Sequence, residues 1–157
     1  MTAPKTKTIT KFKPIASVAE VLGDRYTPAM QAAFPDVLPP YGAPFGYLCL
    51  LQLRLPLTVS RGGIIIPELE QDNERYRTQA ALVRAIGSQA FHDRATGEPW
   101  VEGSWYGPGD FIRSPQYGGD RFDIDLGTGD KRVTFVLIKD ADGIAPVTGD
   151  PLTIKTS

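Results

Sequence analysis

The sequence has few of the residues on which many sites and scaffolds depend. Its 157 residues include one cysteine, Cys49, and one histidine, His92. A single cysteine excludes a disulfide framework within the chain, and a single histidine excludes any site built on two imidazoles. We expect Cys49 to be a buried, inert thiol because it lies in an apolar segment, and His92 to be a surface residue because its neighbours are polar.

Long apolar runs and a basic surplus are also missing. No run of 18 apolar residues occurs, and the lysines near the N-terminus are not followed by the apolar region of a secretory signal. The formal net charge is −1, from 17 basic and 18 acidic residues. Nucleic-acid-binding proteins usually carry a basic surplus. We therefore expect a soluble, cytoplasmic type of protein with neither a membrane nor a nucleic-acid partner.

Glycine and proline, in contrast, are abundant. Sixteen glycines and fourteen prolines make up about a fifth of the chain, and such frequent turn formers favour short strands over long helices. The sequence predicts a mainly β domain over residues 45–157, a small and partly open β-barrel. Its strands are expected at 47–55, 78–86, 111–112, 121–126 and 132–138, with 140–147 closing the barrel.

Residues 1–44 are predicted to form an N-terminal arm outside the core. Ser17 and Glu20 match a capping box at the start of one short helix, and Thr27 precedes Pro28 at the start of another. Helices this short are unstable alone. Apolar side chains of the arm must therefore pack on something, and the arm's candidate contact residues are Met30 and Phe34.

The arm also carries the only strong charge asymmetry. The first 19 residues contain no acid and four lysines, Lys5, Lys7, Lys11 and Lys13. Their local charge is +4, so the remaining 138 residues carry −5. Such a tail is typical of a segment that binds an acidic surface, and an ordinary solvated terminus would look the same.

Residue patterns that would indicate catalysis are weak. Two pairs of aspartates, one at 123 and 125 and one at 140 and 142, are expected to face solvent, and neither has a His or Lys partner at a useful spacing. Ser60 and Ser104 have no visible base. We therefore predict a protein that is not an enzyme and uses neither a cofactor nor a metal ion.

The most distinctive segment is GGIIIP at 62–67. Side chains alternate along an extended strand, so three consecutive isoleucines cannot all face one core. One interpretation is a strand that is buried on both faces. The other is an apolar segment that docks in a partner's groove, for which the candidate residues are Gly62, Gly63, Ile64, Ile65 and Ile66.

From about residue 47 to residue 147, the chain resembles the GroES-type co-chaperonins, in particular the co-chaperonin-like proteins of tailed bacteriophages. The segments that carry this resemblance are the run ending at Arg54, GGIIIP at 62–67, ALVRAIG at 81–87, GDFI at 109–112, YGG at 117–119 and IKDADGIAPV at 138–147. The resemblance implies a small β-barrel that assembles into a homo-oligomeric ring. It also implies that Ile64, Ile65 and Ile66 dock on the rim of a chaperonin.

The chain departs from that family in two ways. Only residues 56–61 separate the first strand from the two glycines, and some 44 residues precede the barrel. Both departures favour a virion component: a capsid decoration, or cement, protein on the capsid surface. Its arm would bind the major capsid protein, with Met30 and Phe34 buried in the contact and the lysines on acidic coat surface. The alternative is a phage co-chaperonin that acts on a chaperonin ring in the host cytoplasm.

Overall fold

The described part of the chain folds into two short helices followed by six strands. The computed structural model describes residues 12–55, 79–127 and 132–154. The first helix, α1, spans Val18–Leu22 and is followed by a 3-10 turn at Gly23–Arg25, and the second helix, α2, spans Pro28–Ala33. The predicted capping box and the predicted Thr27 cap are confirmed. No helix in these ranges is long and apolar enough to cross a membrane.

The strands form one antiparallel sheet, which confirms the mainly β prediction. They are β1 (Leu48–Leu53), β2 (Ala80–Ile86), β3 (Phe111–Arg113), β4 (Asp120–Asp125), β5 (Arg132–Lys139) and β6 (Ala145–Pro146). Their order across the sheet is β4-β5-β1-β2-β3-β6, so β1 lies near the middle, between β5 and β2. A second 3-10 turn, at Asp140–Asp142, connects β5 to the β6 segment.

Both faces of the central strands are covered. On one face, Cys49 and Leu51 of β1 pack with Phe91 and Tyr106 from the long β2–β3 connection. On the other face, Leu50 packs in a separate cluster with Val133 and Phe135 of β5. Alternate residues of β1 thus point to opposite cores, which explains why this strand reads as an almost unbroken apolar run.

The N-terminal segment packs on the sheet as part of the core and does not form a separate arm. Val18 and Phe34 are fully buried and Met30 is 8% exposed, and all three pack with Leu82 of β2. The Phe34 ring also lies 5.3 Å from that of Phe111. The expectation that residues 1–44 lie outside the core is therefore wrong for the helices. The sheet supplies the apolar surface that such short helices need.

A β-bulge places a charged side chain between the N-terminal segment and the sheet. The register between β1 and β2 shifts between Leu50 and Leu51, which leaves Arg84 as the extra residue on β2. A bulge of this kind re-aims a side chain. The Arg84 guanidinium is fully buried and donates to the carbonyls of Ala16 and Val37 and to Gln52 Oε1, at 2.9, 3.0 and 2.7 Å.

A second buried arginine fixes the other end of the chain. Arg54 follows β1 and is 2% exposed, and its Nη1 donates to the carbonyls of Pro151 and Ile154, at 2.9 and 2.7 Å. Gln52 is likewise buried and donates to the Pro35 carbonyl at 2.9 Å. These polar residues tie the terminal segments to the sheet through backbone carbonyls.

Candidate protein-interaction surface

An apolar groove forms where the N-terminal segment approaches β1. The Ala43 N–H donates to the Lys13 carbonyl at 2.8 Å, which holds the two stretches of chain together. Gly42 allows this approach, because a Cβ there would lie 2.9 Å from the Lys13 oxygen. As a result, the Phe12 and Phe45 rings come within 6.0 Å of each other, at one side of the groove.

The opposite wall comes from the edge of the sheet. Tyr41 packs edge-on against Phe122 of β4 at 5.1 Å, and Phe122 stacks on Phe135 of β5 at 5.3 Å. We call the space between these walls the apolar groove. It has a volume of about 400 Å³ and is lined by Phe12, Tyr41, Gly42, Ala43, Pro44, Phe45, Leu48, Leu50, Phe122 and Leu137.

The groove exposes far more aromatic surface than packing within the chain requires. Phe45 is 73% exposed, Tyr41 61% and Phe12 60%. Single exposed apolar residues are ordinary, but a contiguous exposed patch is typical of an interaction site. Covering such side chains stabilises a complex by about 1.5–3 kcal/mol for each one fully buried. Among the described residues, the groove's lining carries no charged side chain, so it suits an apolar segment of a protein partner.

The β2–β3 connection builds an aromatic lobe, residues 88–108, on the other side of the sheet. Phe91 lies at its centre, with the Tyr106 ring 4.9 Å and the Trp100 ring 5.4 Å away, both edge-on. Phe91 has a φ of 62°, a conformation that L residues rarely adopt. Its N–H donates to Asp140 Oδ2 at 2.8 Å, and this bond helps to hold the strained backbone in place.

Asp140 corrects the expectation that both aspartates at 140 and 142 face solvent. It is fully buried and pairs with Arg94 Nη2 at 2.8 Å. Burial alone would raise the pKa of Asp140. The hydrogen bonds from Arg94 and from the Phe91 and Ala141 N–H groups outweigh burial, so its pKa lies below the ordinary value. Asp140 is a structural anion that fastens the lobe to the end of β5.

Two of the predicted contact residues occupy the interior of the chain. Met30 and Phe34 pack against β2 and β3, so in this fold their side chains are not available to a partner. Lys13 is exposed and follows Phe12, which lines the apolar groove. The other predicted residues, Lys5, Lys7, Lys11 and the segment from Gly62 to Ile66, lie outside the described residues.

The side chains with the greatest intrinsic reactivity are not arranged for chemistry. Cys49 is buried as predicted, and burial raises the pKa of its thiol to about 11, which leaves it protonated at neutral pH. His92 is half-buried, and its Nδ1 lies 2.8 Å from the Ala90 carbonyl. Within residues 12–55, 79–127 and 132–154, no group of three or more His, Cys, Asp or Glu side chains could hold a metal ion.

Sequence reasoning missed the aromatic residues that form the apolar groove. Tyr41 and Phe45 stand among prolines and glycines, in a stretch that reads as a stiff link. Phe12 lies between two lysines of a basic tail. The signal that could have indicated this groove is the presence of two large aromatic residues, Tyr41 and Phe45, in a short link directly before a strand. Which side of the sheet they would reach depends on the fold of the whole N-terminal segment.

Comparisons with known proteins add nothing to the resemblance to GroES-type co-chaperonins, which rests on the residues of this sequence alone. No protein-family model and no curated protein matches this chain.

Proposed function

We propose that this protein is a non-enzymatic structural component of a tailed bacteriophage, a capsid decoration protein that binds the major capsid protein. The apolar groove is the observation that carries the proposal. It presents three largely exposed aromatic rings on a base of three paired strands, β1, β4 and β5. Rigid, exposed aromatic residues are the usual anchors of protein–protein interfaces.

Basic residues flank this surface in the sequence. Lys13 follows Phe12, and Lys5, Lys7 and Lys11 precede it, so charge and apolar surface follow one another along the chain. Lysines at the rim of an interface accelerate encounter with an acidic surface and contribute little to the final affinity. The proposed capsid contact thus revises the predicted one: Phe12, Tyr41 and Phe45 replace Met30 and Phe34 as anchors, and the lysines keep their role.

The proposal includes a GroES-like barrel and a homo-oligomer. The six-stranded antiparallel sheet and its bulged central strand support the barrel, because bulges and twist are the means by which a sheet curves. In the described part of the chain β4 and β6 pair with one neighbour each, which leaves each strand one free edge. Such edges are ready sites for strand pairing between copies.

The test is attachment to capsids purified from the source phage. The double variant Tyr41→Ser, Phe45→Ser removes two rings from the groove. Burying both rings is worth about 3 kcal/mol, so we expect at least about 100-fold weaker attachment by co-sedimentation. Leu38→Ser is the matched control, since Leu38 is 59% exposed in the same N-terminal segment but does not line the groove. Attachment that is unchanged in the double variant would exclude the groove.

One observation favours the alternative, a phage co-chaperonin. Leu53 at the end of β1 pairs with Ala81 at the start of β2, so the segment that carries Ile64, Ile65 and Ile66 begins and ends at neighbouring positions. A docking loop that projects from a barrel needs this attachment. The alternative predicts a chaperonin ring as the partner, and quantitative mass spectrometry of purified virions separates the two: a decoration protein scales with the coat protein, and a co-chaperonin stays in the infected cytosol.

A further inference from the structure

A second groove lies on the outer side of the aromatic lobe, and the proposed capsid contact does not use it. We call it the lobe groove. It has a volume of about 680 Å³ and is lined by Asp93, Thr96, Glu98, Pro99, Trp100, Val101, Glu102 and Trp105. The lining combines two indole rings with three carboxylates and, in the part of the chain that the structure describes, includes no lysine or arginine. This pairing of residue types is unlike that of the apolar groove, which has no charged side chain.

The two indoles are held in defined positions. The Trp100 and Trp105 rings lie 5.0 Å apart at 59°, and both pack on Phe91, at 5.4 and 6.4 Å. The Trp105 Nε1–H also donates to Glu102 Oε1 at 2.8 Å, which sets a carboxylate beside the ring. Trp105 nevertheless remains 47% exposed. An aromatic face with an adjacent anion is therefore presented to solvent at little conformational cost.

The other side of the groove is a tight turn built on Asp93. Its Oδ1 accepts the N–H groups of Ala95 and Thr96, at 2.7 and 3.1 Å, and these bonds lower the pKa of Asp93. The Asp93 N–H donates to the Glu98 carbonyl at 2.7 Å, which closes the turn and brings Glu98 to the groove. The turn therefore contributes two carboxylates on a fixed backbone.

The chain already holds one cation of its own, Arg94 of the lobe, with this combination of groups. The Arg94 guanidinium carbon lies 3.7 Å from the centre of the Tyr47 ring, and Arg94 Nη2 lies 2.8 Å from Asp140 Oδ1. A guanidinium is thus held between an aromatic face and a carboxylate within the chain. The lobe groove offers a similar pair, Trp105 with Glu102, to a group that comes from outside.

We propose that the lobe groove binds a lysine or arginine side chain from a basic segment of a partner protein. A cation over an indole gains from the ring quadrupole, and tryptophan is the best aromatic partner for it. Three carboxylates around the rings add electrostatic attraction and repel acidic segments. An apolar segment would instead cover those carboxylates without pairing them, which is costly. Charge complementarity therefore selects the basic partner.

The chain's own tryptophans report on this groove. It has two tryptophans in all, and both line the lobe groove, so indole N–H signals in ¹⁵N NMR spectra and intrinsic fluorescence observe it directly. The probe is the peptide acetyl-Gly-Arg-Gly-Lys-Gly-amide, with the glutamate peptide acetyl-Gly-Glu-Gly-Glu-Gly-amide as its counterpart. We expect saturable shifts of the indole signals with the basic peptide, weakened by salt, and none with the acidic one.

Matched variants distinguish binding in the lobe groove from a general effect of the protein's net charge. The double variant Glu98→Gln, Glu102→Gln should weaken binding of the basic peptide by about 10-fold. The control Asp120→Asn, Asp125→Asn makes the same change in net charge on β4 and should bind as the unmodified chain does. Equal weakening in both variants, or indole signals that do not respond, would overturn the proposal. If tetramethylammonium binds as tightly as the peptide, the occupant is a quaternary ammonium ligand and not a partner protein. If the chain self-associates and the groove variant does not, the occupant is a second copy of this chain.

Discussion

Replacing Arg84 with methionine tests how the N-terminal segment is held on the sheet. Arg84 carries a buried positive charge, and no carboxylate among the described residues forms an ion pair with it. Burial lowers its pKa, so the protein bears a desolvation cost at this position. Its Nε is also buried without a hydrogen-bond partner in the described part of the chain. Taken alone, the desolvation cost and the unpaired Nε would make the substitution Arg84→Met stabilising.

The acceptors left behind oppose that gain. Arg84→Met removes the donors to Ala16 O, Val37 O and Gln52 Oε1. An orphaned buried acceptor costs about 1–3 kcal/mol, and the two carbonyls, being partly buried, belong at the low end of that range. The two carbonyls cost about 1 kcal/mol each and the fully buried Gln52 Oε1 about 2 kcal/mol, while relief of the guanidinium's desolvation returns about 1 kcal/mol, so we expect a net loss of about 3 kcal/mol. In a chain of this length that loss lowers Tm by roughly 6–12 °C.

The assay is urea unfolding combined with amide hydrogen exchange. The loss of protection should be largest in residues 17–37, because the two carbonyls that Arg84 binds lie at the ends of that stretch. Arg84→Met, Gln52→Leu should lose less than the sum of the two single variants, since the double change removes one orphaned acceptor together with its donor. An unchanged urea midpoint in Arg84→Met would refute the reasoning, and so would exchange that increases only in the sheet.

Two further predictions concern the lobe and the co-chaperonin alternative. The folded-state pKa of Asp140 lies below its unfolded value, so its stabilisation is complete above about pH 3.9 and is lost as the pH falls through the folded pKa. Asp140→Asn should therefore have a lower urea midpoint than the unmodified chain at pH 6, with the two converging in acid; a gap that does not change with pH would contradict the assignment. Under the co-chaperonin alternative, Ile65→Asp should abolish binding to a chaperonin ring in a pull-down. Under the decoration proposal, the same substitution should leave capsid attachment, measured as above, unaffected.

Local rules were enough to predict most of the helices and strands. The capping residues Ser17 and Thr27 act through their own backbone neighbours, so their signal lies within a few residues of sequence. The strands at 78–86 and 132–138 are apolar and β-branched, and the observed β2 and β5 match them to within two residues. The barrel stays a prediction, because closure depends on how far a sheet curves.

Side chains whose partners are distant in sequence could not be assigned in advance. Arg54 and Arg84 interrupt apolar strands, and such interruptions are normally read as a face that turns to solvent. Both are instead buried, with acceptors between 32 and 100 residues away in sequence. Asp140 was read as exposed for the same reason, since Arg94 and Phe91 reach it only after the long β2–β3 connection folds back.

The two grooves lie on opposite sides of the sheet, and this arrangement constrains what the protein can do. Leu50 lines the apolar groove, whereas Cys49, the preceding residue of β1, packs beneath the aromatic lobe. Because neighbouring side chains of a strand point to opposite faces, a partner in one groove leaves the other open. A decoration protein that rests on the capsid through the apolar groove would therefore turn the lobe groove away from it. Among the described residues one surface is apolar and uncharged and the other is aromatic and acidic. Under the two proposals, each surface would therefore select its own partner, and a single chain would link the two.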